Sequence, residues 1–133
     1  MRTITVYIER GKDGTYGAYV PEDMPYGIIG EGNSVLESIE DFKGGYEDMK
    51  EHYHLTNKEF EEFDFVFKYD IPSFIAYYCD RLSLAGISRI TGVNQGQLSH
   101  YLTGRRRPSE KTAKKIQDAL HAFGKEISEV NFV

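Results

Sequence analysis

Ile4, Val6 and Ile8 alternate with Thr3, Thr5, Tyr7 and Glu9, a period of two that puts the aliphatic side chains on one face of a strand. "GKDG" then turns the chain and a second alternating run, "TYGAYV", follows, so residues 2–20 predict a β-hairpin whose loop glycines can take positive φ. "PEDMPYG" breaks this pattern, and a further short strand is expected around Ile28 and Ile29. At Asn33 and Ser34 the period lengthens to that of a helix. Ser34 and Glu37 have the spacing of a capping box, in which each side chain satisfies an otherwise unpaired backbone N–H.

Val35, Ile39, Phe42, Tyr46, Met49 and Tyr53 recur every three or four residues, with acids and lysines on the opposite face, which predicts a helix lying on a core. Gly44 and Gly45 interrupt it at roughly 1 kcal/mol each relative to alanine, pointing to a close backbone approach or a bend. Phe63, Phe65, Phe67 and Tyr69 then alternate with Asp64, Val66, Lys68 and Asp70, giving a fourth strand with an aromatic face. The expected order is β-β-β-α-β.

From Pro72 onward every periodic segment is helical. Proline suits a first helical position, and Phe74, Tyr78 and Leu82 form a stripe with Ile75 and Cys79 beside it. Ser83 is placed to cap a second helix over residues 84–91, whose Ile87 and Ile90 face inward, and Gly92 with Val93 makes a tight turn. Asn94 is placed to cap a third helix with Leu98, Tyr101 and Leu102 inward and Gln95, Gln97, Ser99 and His100 outward. Thr112 or Ala113, Ile116, Leu120 and Phe123 mark a fourth helix ended by Gly124, and "KEISEV" is expected to complete a bundle of five helices, unless its apolar Ile127, Val130, Phe132 and Val133 continue instead into a dimer contact. Phe74, Tyr78, Ile87, Ile90 and Leu98 are assigned to the core, and Cys79 is expected to be buried on its apolar stripe.

The fold class is therefore α+β: a small β-β-β-α-β domain over residues 1–70, then an all-α domain over residues 71–133. A length of 133 residues accommodates two such small domains, and 40% hydrophobic content is ordinary for a globular chain. Charge sharpens the division. Residues 1–70 carry 7 Lys/Arg against 16 Asp/Glu, whereas residues 71–133 carry 9 against 5. The acidic part repels polyanions and favours basic proteins, while the basic part attracts polyanions.

A single cysteine, Cys79, allows no intramolecular disulfide and no cysteine cluster for structural zinc, and no apolar run suggests a secretion signal or a membrane span, so the expected location is the cytoplasm. His52 and His54 beside Glu51 read as a solvated helix end, since nothing nearby supplies further metal ligands. Glu59, Glu61, Glu62 and Asp64 invite comparison with a nuclease's metal cluster, but no histidine or lysine is placed with them. No enzyme, cofactor or metal is expected.

Two helices joined by a glycine-containing turn, the second with an amide-rich outer face, compose a helix-turn-helix, which sets its second helix in the DNA major groove. Glutamine and asparagine pair bidentately with adenine, serine bonds either base edge, and histidine reaches guanine or phosphate. Gly96 would let that helix lie close to the groove floor. Asn94, Gln95, Gln97, Ser99 and His100 are thus candidate base contacts, and Arg105, Arg106 and Arg107 are candidate phosphate contacts whose neutralised phosphates release counterions.

The segment "GVNQGQLSHYLTGRRRPS" with the helix before it, residues 83–109, resembles the lambda-repressor-like (XRE) helix-turn-helix family. The resemblance implies that Gln95 and Gln97 occupy base-reading positions, and that Thr103 and the backbone near Gly104 hold a phosphate. In the first part, "PEDMPYGIIGEGNSVLESIED" resembles the signature of the HicB antitoxin family. That resemblance implies a truncated ribonuclease H-like sheet with one helix on it, no nuclease activity, and a small basic ribonuclease toxin, HicA, as partner. Together these predict a DNA-binding antitoxin that represses its own operon as a homodimer or higher homo-oligomer on double-stranded operator DNA, with no membrane partner. The alternative is a stand-alone helix-turn-helix transcription factor whose first domain serves oligomerisation or ligand sensing.

Overall fold

The protein is described over residues 1–133 by a computed structural model. Its elements are β1 (Arg2–Arg10), β2 (Tyr16–Tyr19), β3 (Ile29–Gly32), α1 (Val35–Leu55), β4 (Phe63–Tyr69), α2 (Ile71–Tyr78), α3 (Leu84–Thr91), α4 (Gln95–Leu102) and α5 (Glu110–Ser128). The chain divides into two units, Met1–Ser73 and Phe74–Val133, and the division falls within α2.

In the first unit the strands form one sheet in the order β3-β2-β1-β4, with β1 antiparallel to β2, β2 antiparallel to β3, and β1 parallel to β4. The turn after β1 closes through Gly11, whose N–H donates to Thr15 O at 2.7 Å, and Gly14 takes φ 84°. Ile4, Val6, Ile8 and Ala18 are fully buried under α1, whose Phe42 is also fully buried. Phe42 meets Phe65 and Phe67 edge-on, with ring centroids 5.1 and 5.7 Å apart.

What brings the helix down onto the sheet is the pair of glycines in β3. A Cβ at Gly30 would lie 2.2 Å from Ser38 O, and one at Gly32 would lie 2.5 Å from Glu37 Cβ, so helix and strand backbones meet with no side chain between them. Ser38, buried with the helix backbone, donates its hydroxyl to Val35 O at 2.7 Å. The capping box forms with one change of partner: Ser34 Oγ accepts from Glu37 N, but the Glu37 carboxylate accepts from Asn33 N rather than from Ser34 N. At Gly45 a Cβ would come within 3.2 Å of Ile28 Cγ2, a side-chain contact rather than the backbone approach expected, whereas Gly44 faces open space.

Tyr26, in the segment expected only to interrupt the strands, is buried and stacks on Phe60 at 4.7 Å. Tyr46, Tyr53 and Phe63 surround it. Its hydroxyl donates to Glu61 O at 2.6 Å, and burial holds its pKa well above the usual tyrosine value. The opposite face of the sheet is uncovered by α1. Ile29, Tyr19, Tyr7 and Lys68 form a row across it in successive register pairs, and Tyr7 packs edge-on to Tyr19 at 6.0 Å.

The second unit contains the end of α2 with α3, α4 and α5, not five helices. Gly124 does not end α5, which runs unbroken to Ser128 and absorbs the separate helix expected at its end. Helical φ at glycine lowers helix stability by about 1 kcal/mol, too little to stop a helix flanked by Phe123, Lys125 and Glu126. Ile87, Leu98, Tyr101 and Ile116 form the core, while Phe74, Tyr78 and Ile90 are half-buried rather than buried. Cys79 is exposed, contrary to the expected burial, because α2 ends at Tyr78 and the stripe stops with it; its thiol donates to Ala76 O.

Candidate nucleic-acid interface

Ser83 Oγ accepts from Gly86 N at 3.0 Å and starts α3, and Gly92 ends it in the left-handed region at φ 73°, donating its N–H to Ser88 O at 2.8 Å. Buried Thr91 fixes the turn from inside. Its hydroxyl donates to Ile87 O at 2.7 Å and accepts from Val93 N at 3.2 Å, so with the Gly92 bond three hydrogen bonds tie the segment from α3 into α4.

Asn94 begins α4 by accepting from Gly96 N at 2.8 Å and Gln97 N at 3.3 Å with a single side-chain oxygen. Asn94 is therefore a helix cap whose amide nitrogen alone is left for another partner. The cap also gives Gly96 a local reason, since a Cβ there would sit 3.0 Å from the Asn94 oxygen. Gln95 and Gln97 are exposed on the outer face, and Ser99 and His100 are half-buried beside it. Tyr101 buries its ring but extends its hydroxyl to Gln97, whose Nε2 donates to it at 2.7 Å. That contact orients the amide and leaves its oxygen and second N–H available, the pair a base edge requires.

The end of α4 is closed by its own hydrogen bonds. Thr103 N donates to Ser99 O, its hydroxyl lies 3.2 Å from Ser99 O and 3.3 Å from His100 O, and Gly104 N donates to Tyr101 O. These donors satisfy the helix's last carbonyls, and the left-handed Gly104, φ 78°, then turns the chain out of the helix. Arg105, Arg106 and Arg107 follow, all exposed, and none forms a salt bridge with a carboxylate. The Arg106 backbone is tied back by its N–H to His100 O at 3.3 Å.

One basic group near the turn escaped the sequence reading. A Cβ built at Gly92 would lie 3.7 Å from Lys115 Nζ, which brings the ammonium from α5 beside the helix-turn-helix turn. No local pattern carries that information, because it depends on the packing of α5 against α3.

Residues 81–122 match the helix-turn-helix family model. No curated protein and no solved structure matches the chain. The matched segment contains α3, the Gly92 turn, α4, the arginine run and most of α5, so the second unit carries a helix-turn-helix DNA-binding domain of the kind found in transcription regulators. No helix is long and apolar enough to cross a membrane.

Proposed function

We propose that the protein is a HicB-type antitoxin and autoregulator, which represses its own operon through the helix-turn-helix and neutralises a small basic HicA-like ribonuclease through its first unit. The observation that carries the DNA half is the exposed, oriented amide of Gln97 on α4, followed by three guanidiniums with no carboxylate partner. Gln95 and Gln97 read base edges, and Arg105, Arg106, Arg107 and Lys115 hold phosphates. Two copies related by a two-fold axis place their α4 helices in successive major grooves.

Support for the antitoxin half is the strand order β3-β2-β1-β4 with a single helix seated on Gly30 and Gly32, and the 16 Asp/Glu against 7 Lys/Arg over residues 1–70. An acidic surface complements a toxin that must itself bind RNA.

Each half has its own test. In a band-shift assay, DNA from upstream of the gene is retarded by the wild type and not by the Gln97→Ala/Arg106→Ala variant. Co-expression with the product of a small, Lys/Arg-rich neighbouring reading frame relieves that product's growth arrest and yields a co-purifying complex. Retardation without any such rescue reduces the protein to a stand-alone regulator.

A further inference from the structure

The sheet of the first unit has two unlike edges. At one, β3 is four residues long and contains Gly30 and Gly32, too short and too close to α1 to template another strand. At the other, β4 is seven residues long, contains neither glycine nor proline, and is paired only on its β1 side. Natural edge strands are usually shortened, bulged, interrupted by proline, charged or covered. Residues 64–68 are not shortened, bulged or broken by proline, their two charges, Asp64 and Lys68, are of opposite sign, and no backbone hydrogen bond outside the sheet engages them.

The sequence of this edge, "DFVFK" from Asp64 to Lys68, is self-complementary about its centre. Two antiparallel copies crossing at Val66 would set Asp64 of each opposite Lys68 of the other, Phe65 opposite Phe67, and Val66 opposite Val66. Asp64, Val66 and Lys68 share the uncovered face, where Val66 is 44% exposed and both charges are solvent-exposed with no ion-pair partner. Phe65 and Phe67 lie on the α1 side and are half-buried, so their outer edges are available to pack across a two-fold axis.

We propose that β4 is the self-association edge of this protein: a second copy adds its own β4 antiparallel at residues 64–68, making one continuous sheet through two protomers. The occupant is a second copy rather than a foreign strand because the charge order matches its own reversal, which an unrelated strand would meet only by chance. This deepens the self-association in the proposed function, and its test is independent of DNA binding.

The experiment is a charge-swap series on the full chain, read by sedimentation equilibrium, with circular dichroism to establish that each variant is folded. The wild type is dimeric. Asp64→Lys alone sets Lys opposite Lys at both crossings, and Lys68→Asp alone sets Asp opposite Asp, so each weakens the dimer by about tenfold or more. The double variant Asp64→Lys/Lys68→Asp restores it, and an equimolar mixture of the two single variants forms a heterodimer. A monomeric wild type, single variants that dimerise as tightly as the wild type, or a double variant no tighter than the singles would each overturn the proposal. The Gln97→Ala/Arg106→Ala variant separates the two ideas: loss of DNA retardation with an intact dimer leaves the edge assignment standing.

Discussion

Gln97 Nε2 donates to the hydroxyl of Tyr101 at 2.7 Å, one helical turn further along α4. Tyr101 is only 2% exposed, so a core residue fixes the direction of a surface amide. Tyr101→Phe removes that constraint and leaves the packing intact. Its effect on stability is about 1 kcal/mol, the usual net value of one such hydrogen bond. Competitive band shifts should show weaker preference for the operator over random duplex, while binding to random duplex at low salt stays as in the wild type. An unchanged preference would remove Gln97 from base reading.

The arginine run predicts a salt dependence. Each phosphate neutralised contributes about 0.9 to the slope of log affinity against log salt concentration. Replacing Arg105, Arg106 and Arg107 together with alanine should lower the slope's magnitude by up to about 2.7, measured by fluorescence anisotropy across a salt series. A slope equal to that of the wild type would make the three side chains bystanders.

Two glycines should respond in opposite directions to the same substitution. Gly30→Ala drives a methyl to 2.2 Å from a backbone oxygen of α1, which neither backbone can easily yield, and should destabilise the first unit by at least about 3 kcal/mol. Gly124→Ala sits in helical backbone with nothing within 4 Å of the new methyl, and should stabilise the second unit by about 1 kcal/mol. Urea denaturation of the two variants beside the wild type checks both.

Tyr19 supplies a pH prediction. Its hydroxyl donates to Glu9 Oε1 at 2.6 Å, and that bond, with partial burial and the carboxylate's charge, pushes its pKa up from 10.0 to about 12. The folded state therefore holds the phenol proton more tightly than the unfolded state does. The resulting stability is fully present below about pH 10 and is lost as pH rises through about 12. Ultraviolet titration of tyrosinate should show this late-ionising phenol, and Glu9→Gln should return it toward the ordinary range.

Much of the fold was legible because its signals are local. Alternation along β1 and β4, the Ser34, Ser83 and Asn94 caps and the left-handed turn at Gly92 each depend on neighbours within a few residues, and all appear in the structure. The misses involve longer range. Gly124 resembled a helix terminator, but whether a glycine ends a helix depends on the φ it adopts, which composition does not reveal. Tyr26 looked like part of a loop because its partners, Tyr46, Tyr53, Phe60 and Phe63, lie far along the chain. In the candidate interface the residue types on α4 and the Asn94 cap were readable, but the use of Thr103 in closing the far end of the helix was not. A side chain that can bond a nucleotide can equally bond the nearest orphan backbone group, and only geometry distinguishes them.

The glycines that seat β3 beneath α1 also limit how large an assembly this sheet can build. The proposed addition of one strand at the far side would consume the longer rim of each protomer, and the rim that remains is four residues long and crowded by the helix. In the proposed pairing growth would stop after a single step, so a chain with a bare strand border would close into a finite particle rather than a fibre.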